Sequence, residues 1–76
     1  MEMYTVEALK TTGQEYVLGM GSKETMQALY DAFKTGTRNT DLLREEGEPM
    51  LLMLIKHTLD ESGAIVSTDT EDYDQI

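Results

Sequence analysis

The side chains in this sequence with the clearest chemical potential are its carboxylates, which occur in clusters. From Asp60 to Ile76 there are six acidic residues and no Lys or Arg, so this stretch contributes −6 of the net charge of −9. A second acidic group between Asp41 and Glu48 is offset only by Arg38 and Arg44. Carboxylates at this density can bind a cation, exchange protons with a substrate, or attract a positively charged partner.

Metal and cofactor chemistry fits these carboxylates poorly. A calcium loop of the EF-hand kind needs a Gly at its sharp turn and a closing bidentate Glu, and the acids from Asp69 to Asp74 have neither. The chain has no Cys, and its Gly-containing turns lack the spacing and the Lys of a phosphate loop. We therefore expect no metal site and no cofactor, which leaves the acids as a solvated segment or a partner contact.

Enzymatic chemistry has one candidate, His57, the only His of the chain. A general base needs a partner group and a pocket, and alternation along a strand places only Ile55 and Leu59 beside it. We expect a surface or edge histidine. No Ser, His and Asp order suggests a nucleophile, so we expect no catalytic residue and no enzyme.

Partner contact is the remaining role for the acids. A strongly negative field favours a basic surface and disfavours nucleic acid or an anionic membrane as direct partners. The candidate partner-binding residues are Asp41, Glu45, Glu46, Glu48, Asp60, Glu61, Asp69, Glu71, Asp72 and Asp74.

Length and hydropathy indicate one small domain. Seventy-six residues that are 39% hydrophobic suffice for a thin globular core. The longest apolar run, Met50 to Ile55, is far shorter than a membrane span, and the first residues do not resemble a secretory signal. Without Cys, a reducing cytoplasm is the expected compartment, and a homo-oligomer is left open.

The N-terminal half predicts a hairpin and a helix. Strands are expected at Met3–Lys10 and Glu15–Met20, joined by a turn at Gly13. A helix is expected from Ser22, as N-cap, to about Thr35. Its apolar positions recur at helical spacing and should pack on the sheet; they are Met26, Leu29, Tyr30 and Phe33.

The C-terminal half is more ambiguous. Met50–Leu59 contains helix formers after Pro49, yet the turn around Gly63 and a β-branched segment at Ala64–Thr68 favour a second hairpin. The prediction is an α+β fold in ββαββ order with a small antiparallel sheet. Residues 1–68 form the domain and 69–76 a frayed acidic tail, so a chain ending before Asp69 should fold normally.

One segment resembles a known family. The residues that carry the resemblance are Glu15, Tyr16, Val17, Ser22, Glu24, Thr25, Met26, Tyr30, Ala32, Phe33, Lys34 and Gly36. They are similar to the strand-into-helix segment of small acidic phage-encoded inhibitors, the Cas9-blocking anti-CRISPR type. A fainter similarity, through His57-Thr58 and Asp60-Glu61-Ser62, is to phage inhibitors of uracil-DNA glycosylase. The resemblance implies an inhibitor that covers a nucleic-acid-binding surface with carboxylates, as a DNA mimic.

The functional hypothesis follows from charge and resemblance together. It is a non-enzymatic acidic inhibitor, encoded by a phage or mobile element, that acts in the host cytoplasm. Its carboxylates would occupy the basic groove of a nucleic-acid-binding host protein, such as a CRISPR or other defence nuclease. The alternative is an acidic adaptor or subunit that binds another protein through an apolar sheet edge or a Met-rich face.

Overall fold

The computed structural model describes residues 1–39 and 48–76, and these residues form one antiparallel sheet and one helix. The elements are β1 (Glu2–Lys10), β2 (Glu15–Gly21), α1 (Lys23–Lys34), β3 (Met50–Leu59) and β4 (Ile65–Gln75). The strand order across the sheet is β2-β1-β3-β4. This confirms the predicted α+β class and the ββαββ order. The predicted site residues Asp41, Glu45 and Glu46 lie outside the described residues.

The first hairpin forms where the sequence predicts it. Gly13 has φ of 90°, a left-handed conformation that a residue with a side chain adopts only with strain. Its N–H donates to the Lys10 carbonyl at 2.9 Å, and the Lys10 N–H donates to the Gln14 carbonyl at 2.9 Å. The β1–β2 register shifts between Val6 and Glu7, which twists this edge of the sheet more strongly.

The helix begins and ends close to the predicted residues. The Ser22 side chain accepts from the Thr25 N–H at 3.2 Å, as an N-cap should. Glu24 lies in the first turn and Lys34 in the last. At these ends an acidic and a basic side chain, respectively, interact favourably with the helix dipole. Of the apolar stripe, Met26 and Tyr30 are buried, whereas Leu29 and Phe33 are half-buried against the same core.

Strand β3 resolves the ambiguity in favour of the hairpin. It lies between β1 and β4 and pairs with both, so its backbone groups are satisfied on two sides. Leu52 and Leu54 pair with Ala8 and Val6 and pack under α1. Tertiary pairing thus overrides the helix propensity of its Leu and Met residues. The core cluster comprises Tyr4, Val6, Met26, Tyr30, Leu52 and Leu54.

The expected frayed tail is a strand, so that prediction is wrong. β4 pairs with β3 from Ile65 to Gln75, and Ile76 and Met50 exchange backbone hydrogen bonds at 2.9 and 3.0 Å. The Ile76 side chain also packs against the core. A chain ending before Asp69 would remove most of an edge strand and expose β3, so we no longer expect it to fold normally.

The burial of each side chain predicts how much its truncation to Ala lowers the free energy of unfolding. Leu54→Ala should lower the free energy of unfolding by about 2–5 kcal/mol, because Leu54 is only 1% exposed under α1. Ile65→Ala removes a side chain that is 54% exposed and should cost under about 1 kcal/mol. Urea unfolding of both variants measures the difference. Equal losses would mean that α1 does not pack on β3 as described.

Candidate functional site: the acidic face of β4

The acidic residues of β4 lie on the helix side of the sheet. Paired residues of neighbouring strands share a face. Asp69, Asp72 and Asp74 pair with Lys56, Leu54 and Leu52, and those β3 residues alternate onto the face that α1 covers. The β3–β4 register shifts between Leu54 and Ile55, which places Glu71 as an extra residue in the same row.

The charge of Glu71 acts on residues of the helix side of the sheet. Its carboxylate contributes to raising the pKa of Tyr4, whose main cause is burial, and the pKa of Lys56, whose main cause is the charge of Glu2. Both of these residues belong to the helix side of the sheet. We call Asp69, Glu71, Asp72 and Asp74 the β4 acidic row.

The helix does not cover this row. α1 packs on β1, β2 and β3, and Asp69, Glu71 and Asp72 are exposed while Asp74 is half-buried. The row pairs with β3 from Lys56 to Leu52. These four residue steps along the strand span roughly 13 Å. Four carboxylates over that length form a fixed, solvent-facing line of negative charge.

Two carboxylates of the row are held by their own backbone. Asp72 Oδ1 accepts from the Tyr73 N–H at 2.9 Å, and Asp74 Oδ1 accepts from the Gln75 N–H at 3.0 Å. Each bond restricts the side chain and uses only part of the carboxylate's acceptor capacity. Oδ2 of each therefore remains available for an incoming cationic donor.

Tyr30 is buried in the core close to Asp72 and Asp74 of the row. Burial raises its pKa to about 12, and the charges of Asp72, Asp74 and Asp31 add to the shift. Its hydroxyl is buried and has no hydrogen-bond partner among the described residues. A buried hydroxyl without a partner costs stability, so the packing of the ring, and not the hydroxyl, explains why the fold tolerates Tyr here.

Lys56 partly offsets the row, because it lies on the helix side of the sheet and the charge of Glu71 contributes to raising its pKa. The Lys56 Nζ lies 3.6 Å from Glu2 Oε1 and pairs across the strands with Asp69. Lys34 Nζ lies 5.8 Å from the centre of the Tyr30 ring, within range of a cation–π contact. Asp72 and Asp74, which no described Lys or Arg approaches to ion-pair distance, are therefore the least compensated part of the row.

The other predicted acids separate from the row. Asp60 organises the β3–β4 turn, because its Oδ1 accepts from Ser62 N, Ser62 Oγ and Ala64 N at 2.8, 2.7 and 3.1 Å. These hydrogen bonds, led by the Ser62 hydroxyl, lower its pKa. Glu61 is exposed in the same turn, and Glu48 Oε2 accepts from Thr11 Oγ1 at 3.0 Å. Asp60 is a structural residue that sequence reasoning assigned to binding.

His57 is buried, which corrects the expectation of a surface or edge histidine. It lies on central strand β3 and is 9% exposed. The Thr5 hydroxyl donates to Glu7 Oε2 at 2.6 Å and lies 2.8 Å from His57 Nε2. The carboxylate can only accept, so the Thr5 oxygen accepts from Nε2–H. On the other side of the ring, Nδ1 lies 3.3 Å from Thr68 Oγ1.

This network does not have the geometry of a catalytic group. The Thr5 hydroxyl donates its hydrogen bond to Glu7 and accepts from His57, so His57 is not placed to take its proton, and Thr5 is only 4% exposed. No group of three or more His, Asp and Glu among residues 1–39 and 48–76 is placed to hold a metal ion. The described helix is too short to cross a membrane.

Comparison of the chain with protein families, with curated proteins and with solved structures finds no match. The functional argument therefore depends on the residues themselves.

The unpartnered Tyr30 hydroxyl leads to a pH prediction. Between pH 10 and pH 12 the unfolded chain loses the Tyr30 proton and the folded chain keeps it, so stability falls as pH rises through this window. Tyr30→Phe should remove about 2–3 kcal/mol of that alkaline loss, and at pH 7 it should be at least as stable as the parent. Thermal melts from pH 7 to 12 measure both effects.

Tyr73→Phe is the matched control, because Tyr73 is 68% exposed and changing it should leave the alkaline loss unaltered. An identical pH profile for the parent and Tyr30→Phe would show that the Tyr30 hydroxyl is not buried.

Proposed function

We propose that this protein is a non-enzymatic acidic inhibitor, encoded by a phage or mobile element, that blocks a nucleic-acid-binding host protein by carboxylate mimicry of DNA. A CRISPR or other defence nuclease is the type of target that fits best. The inhibitor would bind in the basic groove that normally holds nucleic acid. The observation that carries the proposal is the β4 acidic row, a line of carboxylates on one exposed face of a paired strand.

The spacing of the row suits this role. Four carboxylates over roughly 13 Å amount to about one charge per 4 Å, compared with one per 3.4 Å of axis along a single DNA strand. The row therefore presents a charge per unit length similar to that of one DNA strand measured along its axis. A carboxylate also accepts the paired N–H groups of Arg in the bidentate manner that a phosphate does.

The rigidity of the row supports the proposal further. A frayed tail would lose conformational entropy when it was ordered on a partner, whereas a paired strand is ordered beforehand. The backbone bonds to Asp72 and Asp74 restrict the carboxylates themselves. Concentrated charge on a rigid surface also accelerates association with an oppositely charged groove.

Neutralising the row tests the proposal. Asp72→Asn/Asp74→Asn keeps an oxygen for the Tyr73 and Gln75 N–H groups but removes two charges. The variant should fold normally and bind its partner more weakly, mainly through slower association, and the deficit should shrink as salt rises. Affinity capture from a nuclease-treated bacterial lysate, followed by interferometry on the purified partner, measures this. Nucleic acid should compete for the same partner.

A charge-matched control separates the row from net charge. Glu15→Gln/Glu24→Gln removes two exposed acids away from β4 and should associate at nearly the parent rate. The proposal is wrong if both double variants behave alike in low salt, or if the captured partners do not bind nucleic acid.

A protein adaptor is the second candidate, and the exposed apolar side chains of the sheet favour it. Val17, Met20 and Tyr73 are 59%, 64% and 68% exposed. An adaptor would bind its partner undiminished after the two aspartates are neutralised, and would lose it when these apolar residues become polar.

A further inference from the structure

The sheet face opposite α1 is uncovered by any described helix or strand. Four residues cross it in one row, since Glu7 pairs with Val17 and Met53, and Met53 pairs with Tyr73. Neighbouring rows add both apolar and polar side chains to the same face. The apolar ones are Met3, Leu9, Met20, Leu51 and Ile55, and the polar ones include Thr5, His57, Thr68, Thr70 and Gln75. We call this surface the open face.

Charge is almost absent from the open face. Among the described strand residues assigned to it by pairing, the ionised ones are Glu7, which is half-buried, and Glu15 at one corner. The β4 acidic row lies on the other side of the sheet. A chain with a net charge of −9 thus keeps one face nearly neutral, which is typical of a surface that is buried in an assembly.

Several polar groups at the centre of the open face bond to one another. Thr5, Glu7, His57 and Thr68 bond to one another at 2.6–3.3 Å. Burying an unsatisfied polar group is costly, whereas a network whose donors and acceptors are internally paired can be covered at a much smaller cost. Covering the open face would therefore keep the Thr5, His57 and Thr68 contacts, and the main cost would fall on the Glu7 carboxylate, which enters this network through Oε2.

We infer that the open face binds a second copy of this chain, sheet against sheet, to form a two-fold symmetric dimer. Four strands at their usual spacing and the nine residues of β1 give a face of about 19 by 30 Å, so two copies would bury on the order of 1,100 Å². That area is just above the approximately 1,000 Å² that a biological interface should clear and lies at the small end of the range for specific complexes. The inference does not depend on the proposed inhibitor role.

A two-fold axis parallel to the strands makes the face self-complementary. This operation places β4 of one copy over β2 of the other, so the exposed Tyr73 meets the exposed Val17 of the second copy at the same level. It also places Glu7 over Met53 and not over the second Glu7, which avoids a like-charge contact. Packed sheets with aligned strands tolerate such an arrangement, and aromatic rings pack well on nearby Met20.

The test is the association state of the whole chain. Sedimentation equilibrium over a roughly hundred-fold concentration range should reveal a dimer, and added salt should tighten it, because screening weakens repulsion between two acidic copies. Tyr73→Lys and Val17→Lys should each weaken the dimer about ten-fold or more, since each places a charge in an apolar contact. Both sites are exposed in one copy, so both variants should fold.

Ala28→Lys is the matched control, because it adds the same charge on the exposed side of α1 and should leave the dimer intact. All three variants lower the net charge equally, so reduced repulsion cannot explain a loss. A chain that stays monomeric overturns the inference and leaves the open face to a different protein. A dimer that survives Tyr73→Lys and Val17→Lys also overturns it, since two sheets joined edge to edge would behave in that way.

Discussion

The packing of one short helix on one face of the sheet is the constraint on which the other features depend. α1 has twelve residues and is therefore about 18 Å long and 10 Å wide. A four-stranded sheet is larger than this, so the helix covers β1, β2 and β3 but not the helix side of β4. The helix leaves uncovered the acidic row beside it and the open face, which carries little charge, on the opposite side of the sheet.

Strand β3 connects these two surfaces. Its helix-side residues Leu52 and Leu54 complete the core, and its other face carries Met53 and Ile55. The same strand holds β4 in register, so the acidic row depends on β3 for its position. Acidic residues are poor strand formers, and their place at an edge also hinders pairing with other sheets. The row thus protects the edge strand as well as presenting charge.

Local signals were sufficient for most of the fold. Ser22 and Gly13 have side-chain and backbone properties that define a cap and a turn within a few residues, and both predictions are confirmed. The strand assignment of Met50–Leu59 needed the following turn at Gly63 as well as composition. The strand at the acidic end of β4 could not be predicted locally, because Asp and Glu are typical of a solvated tail. It forms because the backbone of this segment pairs with β3.

The candidate site was less accessible to sequence reasoning. The role of Asp60 in its turn could have been recognised from Asp60-Glu61-Ser62-Gly63, a common Asx-turn pattern. The burial of His57 could not, because Thr5 and Glu7 are about fifty residues away in the chain and meet His57 only through the β1–β3 register. Clustering of charge predicted a binding surface, but only the pairing of β4 shows which acids share a face.

The central claim is that the acids of β4 form a fixed row on a paired strand. Amide hydrogen exchange across residues 69–75 tests it most directly, at neutral pH and without any partner. The account predicts that the amides bonded to β3 exchange far more slowly than in an unstructured chain, with protection that alternates along the strand. Exchange of the whole segment at the rate of an unstructured peptide would contradict it, because the carboxylates would then have no common face.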